Sequence, residues 1–258
     1  MKNNLNISLI QSNLFWKDVN KNLSHFENLT SVILETDIIL LPEMFNTAFC
    51  PKSTHLAEKM NGETISWMKQ TSKNKNCAIA GSLMVQENGK VYNRLLWISK
   101  NGKISTYDKR HLFSLIKENE TLSKGKDRLI IEEEGWKICP LICYDLRFPV
   151  FSRNDEGYDL LIYLANWPTK RIDAWDTLLK ARSIENQCYT IGVNRVGEDG
   201  NNVSFNGHSK VFDAFGEEIL SFTKNEEAVL QIEISLDDLK LKRRQLNFLQ
   251  DIDNFKLL

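Results

Sequence analysis

A thiol, a phenol, a carboxylate and a guanidinium close an apolar run in Ile138-Cys139-Pro140-Leu141-Ile142-Cys143-Tyr144-Asp145-Leu146-Arg147-Phe148-Pro149. A buried strand that stops at a cysteine and turns into a helix presents a nucleophile, and the backbone N–H groups beyond the thiol then face a reacting carbonyl. Cys143 equally fits a buried structural position, because free cysteine behaves as a small hydrophobe. Two further segments bear on the choice. Ile38-Ile39-Leu40-Leu41-Pro42-Glu43 is a short apolar run ending in a carboxylate, and the strand-like Ile104-Ser105-Thr106-Tyr107 leads to Lys109. In parallel α/β sheets ligands gather at the carboxyl ends of strands. Either charge alone reads as a surface residue. A base, a cation and a thiol at three strand ends read as a reaction centre.

Leu41-Pro42-Glu43, Asp108-Lys109-Arg110-His111-Leu112-Phe113 and Cys143-Tyr144-Asp145-Leu146-Arg147-Phe148-Pro149 resemble the three signature blocks of the nitrilase (carbon–nitrogen hydrolase) superfamily. Ala165-Asn166-Trp167-Pro168 and Ala181-Arg182-Ser183-Ile184-Glu185-Asn186-Gln187 agree with it, so the likeness runs from about Ile7 to about Ala228. It is closest to the omega-amidase branch. The resemblance implies an α/β fold: an αββα sandwich of two mixed sheets packed face to face, with helices on the outer faces. It also implies catalysis by Glu43, Lys109 and Cys143, no cofactor, and a homodimer. A second glutamate follows the lysine block in the family; Glu118 matches it best, with Glu120 as the competitor. Both lie in a charge-rich loop (Lys117, Lys124, Lys126) that otherwise reads as solvated.

The chemistry follows from the residue types. A thiol of pKa about 8.5 is only a few per cent ionised at neutral pH and needs a base or a cationic neighbour. Glu43 would take the thiol proton and deliver one to a departing amine. Lys109 would favour thiolate and stabilise an oxyanion, with the backbone N–H of Tyr144 as second donor; one such donor is worth about 3 kcal/mol. The reaction so implied is hydrolysis of a linear amide through a thioester, with ammonia leaving first. None of the histidines has a matching context, and His111 reads as a packing or hydrogen-bonding residue. Asp145 and Arg147 read as a structural pair, and Arg182 with Glu185 three residues on as a local salt bridge.

Asn166, Trp167 and Arg171 follow a buried strand and are the candidate substrate-binding residues, Arg171 as partner of a carboxylate. The omega-amidase likeness implies short α-keto acids amidated at the far end, 2-oxoglutaramate or 2-oxosuccinamate. A nitrilase, a carbamoyl-amine hydrolase or an aliphatic amidase shares the same three residues, so only the pocket discriminates. A non-catalytic binding protein on the same fold would need none of them.

Composition narrows the partners. A net charge of −1 argues against nucleic acid and anionic membranes, which call for a basic excess. No run approaches the ~18 apolar residues of a bilayer span. The start, Met1-Lys2-Asn3-Asn4-Leu5-Asn6-Ile7, has no signal-like apolar stretch, and five scattered cysteines fit reduced thiols, so a cytoplasmic protein is expected. Cys139 and Cys143 lack the spacing of a zinc pair, and no metal site is expected.

The positioning elements are legible by period. Leu23, Phe26, Leu29 and Ile33 recur at helical spacing within Val19–Leu34, and Thr64–Ser72 and Ile172–Gln187 also read as helices. Strands are expected at Asn6–Gln11, Ile38–Leu41, Ala78–Leu83, Val91–Ser99, Ile104–Tyr107, Arg128–Glu133, Lys137–Ile142, Asp159–Ala165, Tyr189–Asn194, His208–Asp213 and Ala228–Ile234. Lys100-Asn101-Gly102 marks a hairpin. Pro140 predicts an irregularity in the strand before Cys143. Residues 1–258 read as one domain with a polar, partly basic tail from about Asp237.

Overall fold

The computed structural model describes residues 2–253; the last part of the expected tail, 254–258, lies outside them. The first half of the chain forms β1 (Asn4–Gln11), α1 (Val19–Ser31), β2 (Ile38–Leu40), α2 (Glu63–Lys75), β3 (Ala78–Glu87), β4 (Lys90–Ile98) and β5 (Ile104–Asp108). After α3 (Glu118–Thr121) come β6 (Ile131–Glu133), β7 (Trp136–Ile142), β8 (Leu160–Ala165), α4 (Ile172–Asn186) and β9 (Tyr189–Asn194). The remainder is β10 (Val196–Glu198), β11 (Ser204–Asn206), β12 (Lys210–Phe212), β13 (Glu218–Ser221), β14 (Ala228–Ser235) and α5 (Leu236–Gln245).

Two six-stranded mixed sheets result, in the orders β14-β1-β2-β3-β4-β5 and β13-β12-β9-β8-β7-β6. The period of two along β2 shows what each face meets. Ile38 and Leu40 join a core shared with Trp136, Ile138 and Leu160 of the second sheet. Ile39 and Leu41 instead join Phe26 of α1 and Met68 of α2. The first sheet is thus covered by helices outside and by the second sheet inside, as the sandwich requires. On the second sheet, α4 packs so closely that a Cβ at Gly192 of β9 would meet Leu179 and Trp175. Asp18 caps α1 by accepting a 3.0 Å hydrogen bond from the Lys21 N–H.

Strand direction sets where the ends lie. β1, β2 and β3 are parallel, and β5 runs with them because the chain reverses twice through β4. β7, β8 and β9 are likewise parallel. The segments leading to Glu43 and Lys109 therefore leave one end of the first sheet, and those leading to Cys143 and Asn166 leave one end of the second.

Three expectations need correction. Pro140 causes no break: β7 pairs with β8 without a register shift from Ile138 to Ile142. The other neighbour, β6, pairs only as far as Ile138, so at Pro140 the strand is an edge and no ladder donor is lost. Arg128–Glu133 is a strand only over its last residues. The tail from Asp237 begins as α5, which is capped by Ser235 and anchored by buried Leu236 and Leu239. Arg243 binds it to the sheet, donating to Asp159 at 2.9 Å and to the carbonyls of Gln187 and Tyr158. The β10–β11 hairpin and β13 carry too few alternating apolar residues to announce themselves.

Candidate active site

The chain past β2 turns sharply, with Met44 at φ 42°, and buries Glu43 completely. Glu43 Oε1 accepts from Lys109 Nζ at 2.8 Å and from Asn93 Nδ2 at 2.9 Å. Its Oε2 accepts from the Asn166 N–H at 2.9 Å. The Asn166 side chain also donates to the Glu43 carbonyl. Asn166, expected to bind substrate, holds Glu43 through its backbone N–H and Nδ2, while its Oδ1 has no partner among the described residues and the residue borders the cavity.

Lys109 leaves β5 fully buried, its backbone N–H still donating to Asn93. Its ammonium donates to Glu118 as well, at 3.1 and 3.2 Å. Glu118 is buried at the start of α3, where its Oε2 also accepts from the Phe113 N–H at 2.6 Å. Glu120 is exposed and pairs with Lys117 instead. The geometry separates the two competing glutamates. Gly125 allows this loop to close on β5: its N–H donates to Lys109 O, and a Cβ there would strike the Asp108 carbonyl.

Cys143 directly follows β7 at φ 43°, a left-handed conformation that costs a non-glycine residue about 1–3 kcal/mol. That turn starts the 3-10 segment Cys143–Arg147. The first N–H groups of such a turn have no acceptor within it, and the Tyr144 N–H is one of them. Cys143 Sγ lies 3.9 Å from the Asn166 carbonyl, and Glu43 is near enough to raise the thiol's pKa.

Electrostatics sets the resting state. Burial weighs against the Lys109 ammonium, but the carboxylates of Glu118 and Glu43 outweigh it and hold the group above the ordinary lysine value. Burial pushes the Glu118 carboxyl up; Lys109 pulls it down and Glu43 adds a second upward push. The Cys143 thiol stands well above the usual range, first by burial, then because Glu43 opposes a second anion; Lys109 offsets this only in part. The free protein thus holds a neutral thiol beside a carboxylate.

Asp145 does not pair with Arg147. It accepts from Tyr107 OH at 2.7 Å, from His111 Nδ1 and backbone N–H, and from the Ile142 N–H at 3.0 Å. Arg147 instead lies over the Trp167 ring, 4.9 Å from its centroid, and faces the cavity. Trp167 rests on Trp175 and donates through Nε1 to the Arg171 carbonyl at 2.7 Å. Arg171 lies 5.2 Å from the Phe113 ring centroid; burial lowers its pKa and the facing Arg147 charge lowers it further. The Arg182–Glu185 bridge forms at 2.8 Å, and Arg182 also donates to Leu146 O, tying α4 to the turn that carries Cys143. A cavity of about 800 Å³ opens over these groups, lined by Cys143, Lys109, Phe49, Phe113, Arg147 and Arg171 among others. The residues missed from sequence are Asn93 and Arg147. Asn93 opens the buried stretch of β4 that runs to Ile98, and a buried amide demands partners.

The comparisons agree with this geometry. The family model described as carbon-nitrogen hydrolase matches residues 6–244. An omega-amidase, YafV, from Yersinia enterocolitica is 42% identical, over 98% of this chain and 99% of the relative. A 2-oxoglutaramate amidase from Bacillus subtilis is 37% identical over 84% of this chain and 85% of its own. The crystal structure of XC1258 from Xanthomonas campestris, a CN-hydrolase superfamily protein, superposes with a TM-score of 0.96 at 38% identity, covering 99% and 100% of the two chains. The chain belongs to the carbon–nitrogen hydrolase family and is an amide-hydrolysing enzyme of that family.

Proposed function

We propose that the enzyme releases ammonia from short omega-amides of α-keto dicarboxylic acids, with 2-oxoglutaramate and 2-oxosuccinamate as substrates. Glu43 accepts the Cys143 proton as sulfur attacks the amide carbon. The resulting oxyanion is stabilised by the Lys109 ammonium, whose other N–H donors are held by Glu43 and Glu118, and by the Tyr144 N–H. Glu43 returns the proton to the amide nitrogen, the C–N bond breaks, and ammonia leaves a thioester. Water then gives a proton to Glu43 and attacks the thioester carbon. Collapse expels sulfur, which takes the proton back, and the acid is released. Glu118 fixes Lys109 and the orientation of amine and water.

The observation that carries the substrate reading is the pair Arg147 and Arg171. Both are half-buried, both line the cavity with Cys143, and neither has a carboxylate partner among the described residues. Such a pair suits a carboxylate at the end of the substrate remote from the amide. An α-ammonium beside it would be repelled, which favours keto acids over glutamine and asparagine. Ammonia release from keto-acid amides, amino-acid amides, nitriles and carbamoyl amines tests the reading. Higher kcat/KM on a nitrile or a carbamoyl amine would sink it. We also read the chain as one domain, active as a homodimer in the cytoplasm; sedimentation tests the dimer. No helix among the described residues is long and apolar enough to cross a membrane.

A further inference from the structure

Six cationic side chains border the cavity above Cys143: Lys17, Lys52, Lys109, Arg147, Lys170 and Arg171. Lys109 is neutralised by Glu43 and Glu118. Lys17, Lys52 and Lys170 are exposed and, among the described residues, make no ion pair. They come from separate places in the chain: the segment after β1, the loop after β2, and the turn between β8 and α4. Asp199 is a carboxylate on the same wall, its Oδ1 accepting from the N–H groups of Asn201 and Val203 at 2.8 and 3.0 Å; its single negative charge leaves the cations of the wall in excess. The chain as a whole is slightly acidic, at −1, so this concentration does not reflect a basic protein. The volume points the same way. About 800 Å³ is in the range that holds a drug-sized ligand, and a four- or five-carbon amide leaves most of it to water.

We infer that the outer part of the cavity is a capture vestibule, in which Lys17, Lys52 and Lys170 draw anionic amides from solution toward the Arg147–Arg171 pair. Substrate charge is then selected before any contact with the reacting groups. A cleft lined by one sign of charge between low-dielectric walls focuses the field and raises local ligand concentration and capture rate, by about 10–10³-fold. Lysine suits this step: a hydrated point charge on a flexible stem attracts an anion without fixing it, whereas the arginine fork fixes a planar carboxylate. The inference rests on the anionic-substrate reading above and adds to it which residues set the charge preference.

The test uses a probe pair of similar size and opposite charge state. Iodoacetate is anionic and iodoacetamide neutral, and each alkylates a reactive thiol irrespective of the true substrate. In the triple variant Lys17→Gln/Lys52→Gln/Lys170→Gln, inactivation by iodoacetate at low salt should slow about tenfold, the lower end of the focusing range. Inactivation by iodoacetamide should not change. The difference should vanish near 1 M salt, where the screening length falls to about 3 Å. The corresponding triple arginine variant should behave as wild type. With substrates, kcat/KM for succinamate should fall in parallel while that for its neutral methyl ester holds. Equal slowing of both alkylating agents, or an unchanged iodoacetate rate in the glutamine variant, overturns the vestibule. Preference of the wild type for a neutral nitrile would overturn the substrate reading instead, and would leave the alkylation ratio as it was.

Discussion

Asp145 accepts two hydrogen bonds from His111, from the backbone N–H at 3.1 Å and from Nδ1 at 2.8 Å. His111 stands two residues beyond Lys109, and Asp145 two residues beyond Cys143. The pair therefore joins the two segments that must keep register for a cation to meet the oxyanion formed at sulfur. Tyr107 extends the link by donating to Asp145 and accepting from the Arg110 N–H at 3.0 Å. The His111 ring stacks on Phe148 with centroids 3.8 Å apart, which fixes its plane. A carboxylate only accepts, so the ring proton sits on Nδ1.

This assigns His111 a positioning role. His111→Ala should lower kcat about tenfold or more, since small misplacements of reacting groups are costly. KM should change little. His111→Asn, whose Nδ2 can occupy the place of Nδ1, should recover most of kcat despite losing the stacking. A purely structural role predicts instead that both variants lose activity only in proportion to lost thermal stability.

Cys143→Ala should abolish turnover and leave folding intact, because one small side chain is removed at a strand end. Cys139 is fully buried in the core between the sheets. Cys139→Ala should cost about 1 kcal/mol through lost packing, yet keep its activity. Mass spectrometry of quenched turnover should find the acyl group on Cys143 alone. Wild-type turnover in Cys143→Ala would remove the thioester from the mechanism.

The charged groups around Lys109 should separate by kinetic signature. Glu43→Gln should bind substrate and lose both half-reactions, because proton transfer fails in each. Lys109→Ala should lower kcat at least ~10²-fold. It should also destabilise the fold, since two buried carboxylates lose their cation; breaking such a pair costs about 3–5 kcal/mol. Glu118→Gln keeps the shape and should still be slow. A negligible effect of Glu118→Gln would reduce that residue to a loop anchor.

The pH dependence follows from the neutral thiol. Burial first, then the charge of Glu43, hold Cys143 well above the usual thiol range. Raising pH across the ordinary thiol pKa of about 8.5 therefore should not generate thiolate in the free enzyme. Alkylation by iodoacetamide should therefore stay flat through the weakly alkaline range. An inflection near 8.5 would indicate a thiolate titrating as in a free cysteine. Although Glu118 is paired with Lys109, its burial gives it the opposite stability sign from the usual ion-paired carboxylate. Its pKa is raised, so stability is greatest while it is protonated and declines as pH rises from the unfolded carboxyl value through the folded one. Glu118→Gln should flatten that part of the stability curve in denaturant titrations.

The sheets and their strand-end residues were legible because their signal is local. An apolar run ending in Glu, Lys or Cys needs no knowledge of its neighbours, and period separates α1 from β2 without a template. What stayed hidden depends on pairing between distant segments. Asp145 and Arg147 stand only two positions apart in sequence, so a mutual bridge is the economical reading. The turn at Cys143 points them opposite ways, one to His111 and the other across Trp167. Pro140 looked disruptive because sequence does not say that β6 ends before it. Asn166 follows β8 and borders the cavity, but sequence does not show that its Nδ2 donates to the Glu43 carbonyl. The α5 helix was hidden by its charges, whose acceptors lie on Asp159, Asp213 and the end of α4.

The arginine pair yields the sharpest statement about substrate. Arg171 was the sequence candidate for the carboxylate partner, and Arg147 joins it through its position over Trp167. A charge-assisted hydrogen bond is worth about 1.5–3 kcal/mol, so removing either guanidinium should raise KM for 2-oxoglutaramate roughly 10–100-fold. kcat should hold, as expected for a contact made equally in the ground and transition states. Arg147→Lys should not recover KM, because an ammonium gives up both the planar fork and the stacking on the indole. Neither variant should affect an uncharged amide. If KM for the keto acid is unmoved in Arg171→Gln but rises in Arg147→Gln, the carboxylate is held by Arg147 alone. If neither moves it, the carboxylate is bound elsewhere in the cavity and the pair has no part in specificity.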